Sequence, residues 1–154
     1  MQLEIGTKAP DFILIGTDLQ PIKLEDYKGK NLILHFFPFA FSSICTAQMC
    51  AARDDENDYT QLNAAVLGVS IDSPFTLKKF AEENKLQFAL GSDLNGKVIR
   101  DYQVLFDRDF LGLTHFAKRS AFVIDKNGIL QYVEVTDGKT LPDMEKIKNT
   151  LDNL

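Results

Sequence analysis

Cysteine is nearly absent from this chain: there are two, Cys45 and Cys50, among 154 residues. A disulfide-dense secreted scaffold is thereby excluded. Histidine is as scarce, with His35 and His115 alone, so nitrogen ligands for a structural zinc site are few. No block of lysine or arginine occurs, and the net charge is -5. That balance argues against nucleic acid as a partner. The most apolar run, LILHFFPFAF, is short and carries His35 and Pro38, so nothing reads as a membrane span. The opening MQLEIGTKAPDF lacks a charged segment followed by an apolar one, and no signal peptide is expected. Repeats, low-complexity tracts and linker-like stretches are missing too, so residues 1–154 are expected to form one domain. Together these absences predict a soluble cytoplasmic protein with reduced thiols.

What is present is an ordinary globular composition, 45% hydrophobic and 25% charged. A chain of this length can bury a core without a covalent staple. FILIG and PIKL, split by the polar TDLQ, predict a small N-terminal hairpin or irregular arm. LILHFF reads as a strand buried on both faces, and AVLGVS as a second. Between them lies a long helical candidate, from about Ser43 to Leu62. Ser73 and Pro74 then supply an N-cap and a first-turn proline for a helix that carries Leu77, Phe80 and Ala81 on one face. A strand–helix–strand unit of this kind implies parallel strands with a right-handed crossover. SAFVID and ILQYVEV flank KNG, a hairpin turn signal. The chain closes on an amphipathic helix with Met144, Ile147, Leu151 and Leu154 at helical spacing. The pattern predicts an α/β chain with a thioredoxin-like fold. A central mixed sheet is flanked by helices and extended by the N-terminal hairpin.

Both cysteines fall inside PFAFSSICTAQMC. A staple, a metal site, a reactive nucleophile with a partner, and two ordinary buried thiols are all open readings of that stretch. Cys45 falls in the first turn of the helix after a buried strand. Unpaired N–H groups and the positive end of the helix dipole favour a thiolate there. Cys50 is five positions on. In an intact α-helix such residues differ by about 140° and about 7.5 Å of rise, so their Cα atoms stand roughly 8.7 Å apart. Disulfide geometry fails beyond about 7 Å. The two can bond only if at least one turn unwinds. A zinc site is a poor fit, because C-x4-C is not the tight C-x2-C knuckle and four ligands are wanted.

Pro38-x-x-x-Ser42-x-x-Cys45 resembles the peroxiredoxin signature. The likeness extends along nearly the whole chain through IGTKAPDFIL, LEDYKGKNLILHFFP, VLGVSIDSP, ALGSDLNGKVIRDY and KRSAFVIDKNG. The resemblance implies a thiol peroxidase with no cofactor and no metal. Cys45 would attack one peroxide oxygen and become a sulfenic acid. Ser42 would offer its hydroxyl to the peroxide, and Pro38 would shield the sulfur from water. Arg119 would hold the thiolate and a peroxide oxygen with its fixed donors. Each has a plainer reading: Pro38 as a strand end, Ser42 as a helix N-cap, Arg119 as a surface charge.

Two departures and a mixed subtype follow. Ser42 stands where the family usually has threonine, so the rotamer-limiting β-branch is lost. Gln48 stands where many members carry glutamate, so it brings no charge near Arg119. Cys45-x4-Cys50, followed by Ala-Ala-Arg53-Asp54, looks like the peroxiredoxin Q (bacterioferritin comigratory protein) type. In that type the second cysteine resolves the sulfenic acid as an intramolecular disulfide and thioredoxin, or a similar dithiol, reduces it. FFPFAF and the LFDRDFLGLTHFAKR loop resemble the one-cysteine alkyl hydroperoxide reductase E type. Phe106, Phe110, Leu111 and Phe116 of that loop would shape an apolar approach or a dimer surface. Monomer and homodimer both remain open. A thioredoxin-like disulfide oxidoreductase would want C-x-x-C, and position 48 is glutamine. His35 and His115 read as a strand residue and a loop residue.

Overall fold

The computed structural model describes residues 2–154. Its backbone is organised by one seven-stranded mixed sheet. β3 (Asn31–Phe36) is buried at every position, as an unbroken apolar run demands of a central strand. It pairs in parallel with β4 (Ala64–Ser70), and β4 in turn with β5 (Ala89–Ser92). On its other side β3 pairs antiparallel with β6 (Ser120–Ile124), which continues to β7 (Leu130–Val135). The hairpin between β6 and β7 turns at Gly128, whose φ is 82°. Asp125 closes that turn by accepting from Asn127 N at 2.9 Å and Ile129 N at 3.0 Å.

The expected N-terminal hairpin is β1 (Ile13–Gly16) and β2 (Pro21–Lys23). It is more than an arm, because β1 also pairs antiparallel with β5 and extends the central sheet. β5 and the short α4 (Lys97–Asp101) had no strong sequence signal. α4 is held by the buried Asp93 carboxylate, which accepts from Val98 N and Ile99 N.

The single helix expected from Ser43 to Leu62 is two helices, α1 (Ser43–Asp54) and α2 (Glu56–Gln61), broken at Asp55. Asp54, Asp55, Glu56 and Asp58 crowd the break, and aspartate favours helix starts over helix interiors. Lys148 of α5 (Met144–Asp152) pins the junction by donating to Asp55 at 2.9 Å and Asp58 at 3.2 Å. α3 (Pro74–Glu83) starts as expected, with Thr76 N donating to Ser73 Oγ. Leu77 and Phe80 are buried. The closing helix buries Ile147 and Leu151, but it ends at Asp152 and leaves Leu154 half exposed.

Two apolar layers sandwich the sheet. One joins Ile33 and Phe37 to Met49, Tyr59, Phe80 and Ile147, and so seats α1, α2, α3 and α5. The other joins Leu32, Leu34 and Phe36 to Phe12, Ile99 and Tyr102. This is the thioredoxin-like arrangement expected from the element order. It delivers the C-terminal end of β3 directly into the start of α1.

Candidate active site

The site is built where β3 stops. Phe37 N donates to Val69 O at 3.0 Å, and the next residue, Pro38, has no N–H to continue the ladder. The chain then turns through Phe41, whose φ of 73° lies in the left-handed region. That conformation costs a non-glycine residue about 1–2 kcal/mol. Neighbouring contacts hold it: the Phe41 ring packs on Phe80 with centroids 5.3 Å apart. Ala40 N donates to Asp72 Oδ2 at 2.7 Å, and Ser70 Oγ donates to the same oxygen at 2.7 Å. Asp72 thus ties the turn before α1 to the end of β4. The sequence shows it only as the aspartate of VSIDSP.

Ser42 occupies the N-cap position, yet its side chain makes no cap hydrogen bond. Its Oγ donates to Phe39 O at 3.0 Å instead. The first helical bond runs from Thr46 N to Ser42 O, so the N–H groups before it have no acceptor within the helix. Cys45 sits in this turn and is fully buried.

Arg119 comes from the chain just before β6, the strand beside β3. Its backbone is fixed by Thr136 N donating to Arg119 O. Its guanidinium donates through Nε to Gly138 O at 3.0 Å, and through Nη1 to Gln48 Oε1 at 2.9 Å and Cys45 Sγ at 3.3 Å. Arg119 is only 4% exposed, so the surface-charge reading fails. A buried cation requires compensation. Of its three hydrogen-bond partners, the Cys45 sulfur is the one able to carry a negative charge. The sulfur therefore faces a donor whose position is fixed by its other two partners.

Arg119 also lines a cavity of about 430 Å³, whose other walls include Pro38, Phe39, Ser42, Ile44, Phe106, Phe110 and Phe116 and the charged Arg108, Asp109, Asp137 and Lys139. Phe116 packs on Phe39 at 4.8 Å and stacks on Phe106 at 4.5 Å between centroids. The 106–118 loop thus supplies an aromatic wall, as the sequence suggested. Leu111 does not contribute to it and stands 83% exposed at a left-handed turn.

Cys50 lies in the same helix as Cys45, and both thiols are free. Its Sγ faces Asn84 Oδ1 at 3.8 Å, and Arg53 Nη1 donates to Asn84 O at 2.7 Å. Both ends of the Cys-x4-Cys stretch are thus locked in regular helix, on different sides of it.

His35 is not an isolated strand residue. It is fully buried, and its Nδ1 is 3.0 Å from Gln48 Nε2. Burial pushes its imidazole down from the usual 6.5 to about 4, because the charged form is desolvated. His115 lies outside the site, between Arg100 and Leu94 O. Among the described residues no three His, Cys, Asp or Glu side chains gather as a metal-ligand set, and no helix is long and apolar enough to cross a membrane.

Residues 5–133 match the AhpC/TSA family. The chain is similar to peroxiredoxin Bcp of Bacillus subtilis, 36% identical over 160 residues that cover 95% of this chain and 99% of that protein. It is also 36% identical to the mitochondrial thioredoxin-dependent peroxide reductase of Drosophila melanogaster, over 88% of this chain and 60% of that one. Among solved structures, peroxidoxin BcpB from Mycobacterium tuberculosis matches with a TM-score of 0.88 at 28% identity, covering 99% of both chains. The likeness runs through every element that frames Cys45 and Arg119, and the chain belongs to the AhpC/TSA family, that of the peroxiredoxins.

Proposed function

We propose that this protein is a thiol-dependent peroxidase that reduces hydrogen peroxide and organic hydroperoxides through Cys45. One observation carries the assignment: a buried guanidinium with no carboxylate among its hydrogen-bond partners donates to the buried Cys45 sulfur and also lines a cavity walled by phenyl rings. In the reaction the sulfur attacks the nearer peroxide oxygen and the O–O bond breaks. Cys45 becomes a sulfenic acid, and the leaving oxygen takes a proton to depart as water or an alcohol. Charge moves from sulfur to that oxygen. Arg119 spends its Nε and Nη1 hydrogens on protein partners, which leaves the Nη2 donors for the peroxide. Ser42 lies in the cavity wall, and its hydroxyl must turn from Phe39 O to reach the peroxide; Pro38 and the phenyl rings keep water away.

Cys50 then attacks the sulfenic sulfur and expels water, which leaves a Cys45–Cys50 disulfide. Both residues are in α1, so its first turns unwind for this step. Thioredoxin or a similar dithiol restores the pair, in keeping with the thioredoxin-dependent relative. The cycle suits a reducing cytoplasm, and one sheet covered on both faces supports one domain over 1–154. A one-cysteine cycle is the second reading. It is favoured by the intact helix and by Cys50 facing Asn84. A disulfide oxidoreductase is disfavoured because position 48 is a glutamine engaged with Arg119.

The test is Cys45→Ser. Peroxide consumption should fall to the rate of buffer plus reductant. Consumption at the wild-type rate would overturn the peroxidase assignment.

A further inference from the structure

Gln48 Nε2 lies 3.3 Å from Phe36 O as well as 3.0 Å from His35 Nδ1. The network assigns its own hydrogens. Phe36 O can only accept and Arg119 can only donate. The Gln48 amide is therefore oriented one way, with its two N–H groups on Phe36 O and His35 and its oxygen on Arg119. His35 must then accept at Nδ1, which places the imidazole proton on Nε2. That Nε2 has no partner among the described residues. An unpaired buried donor costs about 1–3 kcal/mol, and a leucine would avoid that cost. Gly68 and Ala121 flank His35 in register, and the ring is fully buried. A costly buried group calls for a use.

We propose that His35 is a positioning residue for the reaction at Cys45. Its neutral Nδ1 holds the Gln48 amide so that Oε1 keeps the Arg119 Nη1 on the Cys45 sulfur. The chain of contacts is continuous: His35 Nδ1 to Gln48, Gln48 Oε1 to Arg119, Arg119 to Sγ. Without an Nδ1 acceptor the amide nitrogen keeps only the longer 3.3 Å bond to Phe36 O, so the amide is anchored less tightly. A loosened amide lets Oε1 drift from the guanidinium, and with it the Nη1 that faces the Cys45 sulfur. The inference rests on the peroxidase reading of this same site.

Three measurements test it together. In the wild type, the ring nitrogens of His35 should show the neutral Nε2–H tautomer by nitrogen NMR at pH 7. An Nδ1–H or charged ring overturns the proposal whatever the activity. Second, the rate constant for peroxide should fall about tenfold to a hundredfold in His35→Leu, the scale of a small misplacement in an active site. In His35→Asn, which returns an acceptor near the Nδ1 position, it should recover to within about threefold of wild type. Equal rates in all three proteins, or equal loss in both variants, refutes a role for the acceptor. Third, His35→Leu should cost nothing further in a Gln48→Ala background. A full additional loss there shows that His35 does not act through Gln48. A wild type that consumes no peroxide sinks the activity assignment instead, and the tautomer still reports on His35.

Discussion

Arg119 Nη1 lies 3.3 Å from Cys45 Sγ, across 74 residues of chain. Neither residue could reach the other without the sheet. β3 delivers the chain to the start of α1, and β6, its antiparallel neighbour, begins one residue after Arg119. Register sets the meeting, because Phe36 stands opposite Ser120. The end of β3, which leads into α1, and the start of β6, which follows Arg119, thus lie side by side. The same guanidinium also donates to Gln48 and Gly138. It is held on three sides before any substrate arrives, and a donor that needs no reorganisation is the effective kind.

That fixed position makes Arg119→Met the most damaging change outside the cysteine itself. It removes the donor to sulfur and strands the buried Gln48 oxygen. Losing one pre-aimed donor costs about a hundredfold to a thousandfold in rate. Stopped-flow measurement of the reaction with hydrogen peroxide should show a loss of that order with the fold retained by circular dichroism. Arg119→Lys should recover only part, since an ammonium cannot reproduce the fork that spans Gly138, Gln48 and Cys45. Full recovery by lysine would mean that charge alone is used.

Cys50 calls for a measurement of mass. One equivalent of peroxide should yield a protein two hydrogens lighter, with Cys45 bonded to Cys50. The far-ultraviolet signal should lose helix at the same time, since α1 cannot span that bond intact. Cys50→Ser should stop at an adduct one oxygen heavier. If the wild type itself stops at that adduct, the one-cysteine cycle is correct and the disulfide is not formed.

Much of this was legible in the residues. The strands LILHFF and AVLGVS, the capped helix at Ser73 and Pro74, and the hairpin around KNG all carry local signals, and they formed as expected. Pro38, Ser42, Cys45 and Arg119 were brought together from a resemblance; the fold lines one cavity with Pro38, Ser42 and Arg119 and sets Arg119 against the buried Cys45 sulfur. Two kinds of feature were hidden. The break at Asp55 had a local signal in the acidic run 54–58, but the Lys148 of α5 that pins it is far away in sequence, and no local pattern announces a distant partner. His35 and Asp72 are ordinary residues in an apolar strand and a turn. Their importance lies in what each atom faces, Gln48 for one and Ala40 N for the other. Of the two readings offered for Leu111, its exposure removes the apolar approach and leaves the dimer surface open.

Acid should weaken the fold through His35. Its imidazole is held down to about 4 in the folded protein, against 6.5 ordinarily. Between these values the unfolded chain binds the proton and the folded protein does not, so stability falls as pH drops from about 6.5 toward about 4. Above that window both states are neutral, and below it both are charged. The lowered value corresponds to a loss of about 3 kcal/mol across the window. Urea unfolding of the wild type and His35→Asn at pH 7 and pH 4.5 should show the variant losing clearly less stability. Parallel losses in the two proteins would assign the acid sensitivity to other groups.

Gly68 sets how closely α1 approaches the sheet. A Cβ there would stand 2.7 Å from Leu90 Cδ2 and 2.8 Å from Met49 Sδ. Met49 is one turn from Cys45 in the same buried layer. Gly68→Ala therefore adds a methyl where there is no room, and overpacking of this kind costs about 1–3 kcal/mol. Both obstructing atoms end flexible side chains, so the lower part of that range is expected. The urea midpoint should fall with an unchanged slope, the mark of a weakened but equally compact fold. Because the side chain that must yield belongs to α1, the peroxide rate should fall with it while Cys50→Ser, on the outer side, leaves that first step near its wild-type value. A Gly68→Ala protein as stable and as fast as wild type would show that α1 is not held against β4 at this point.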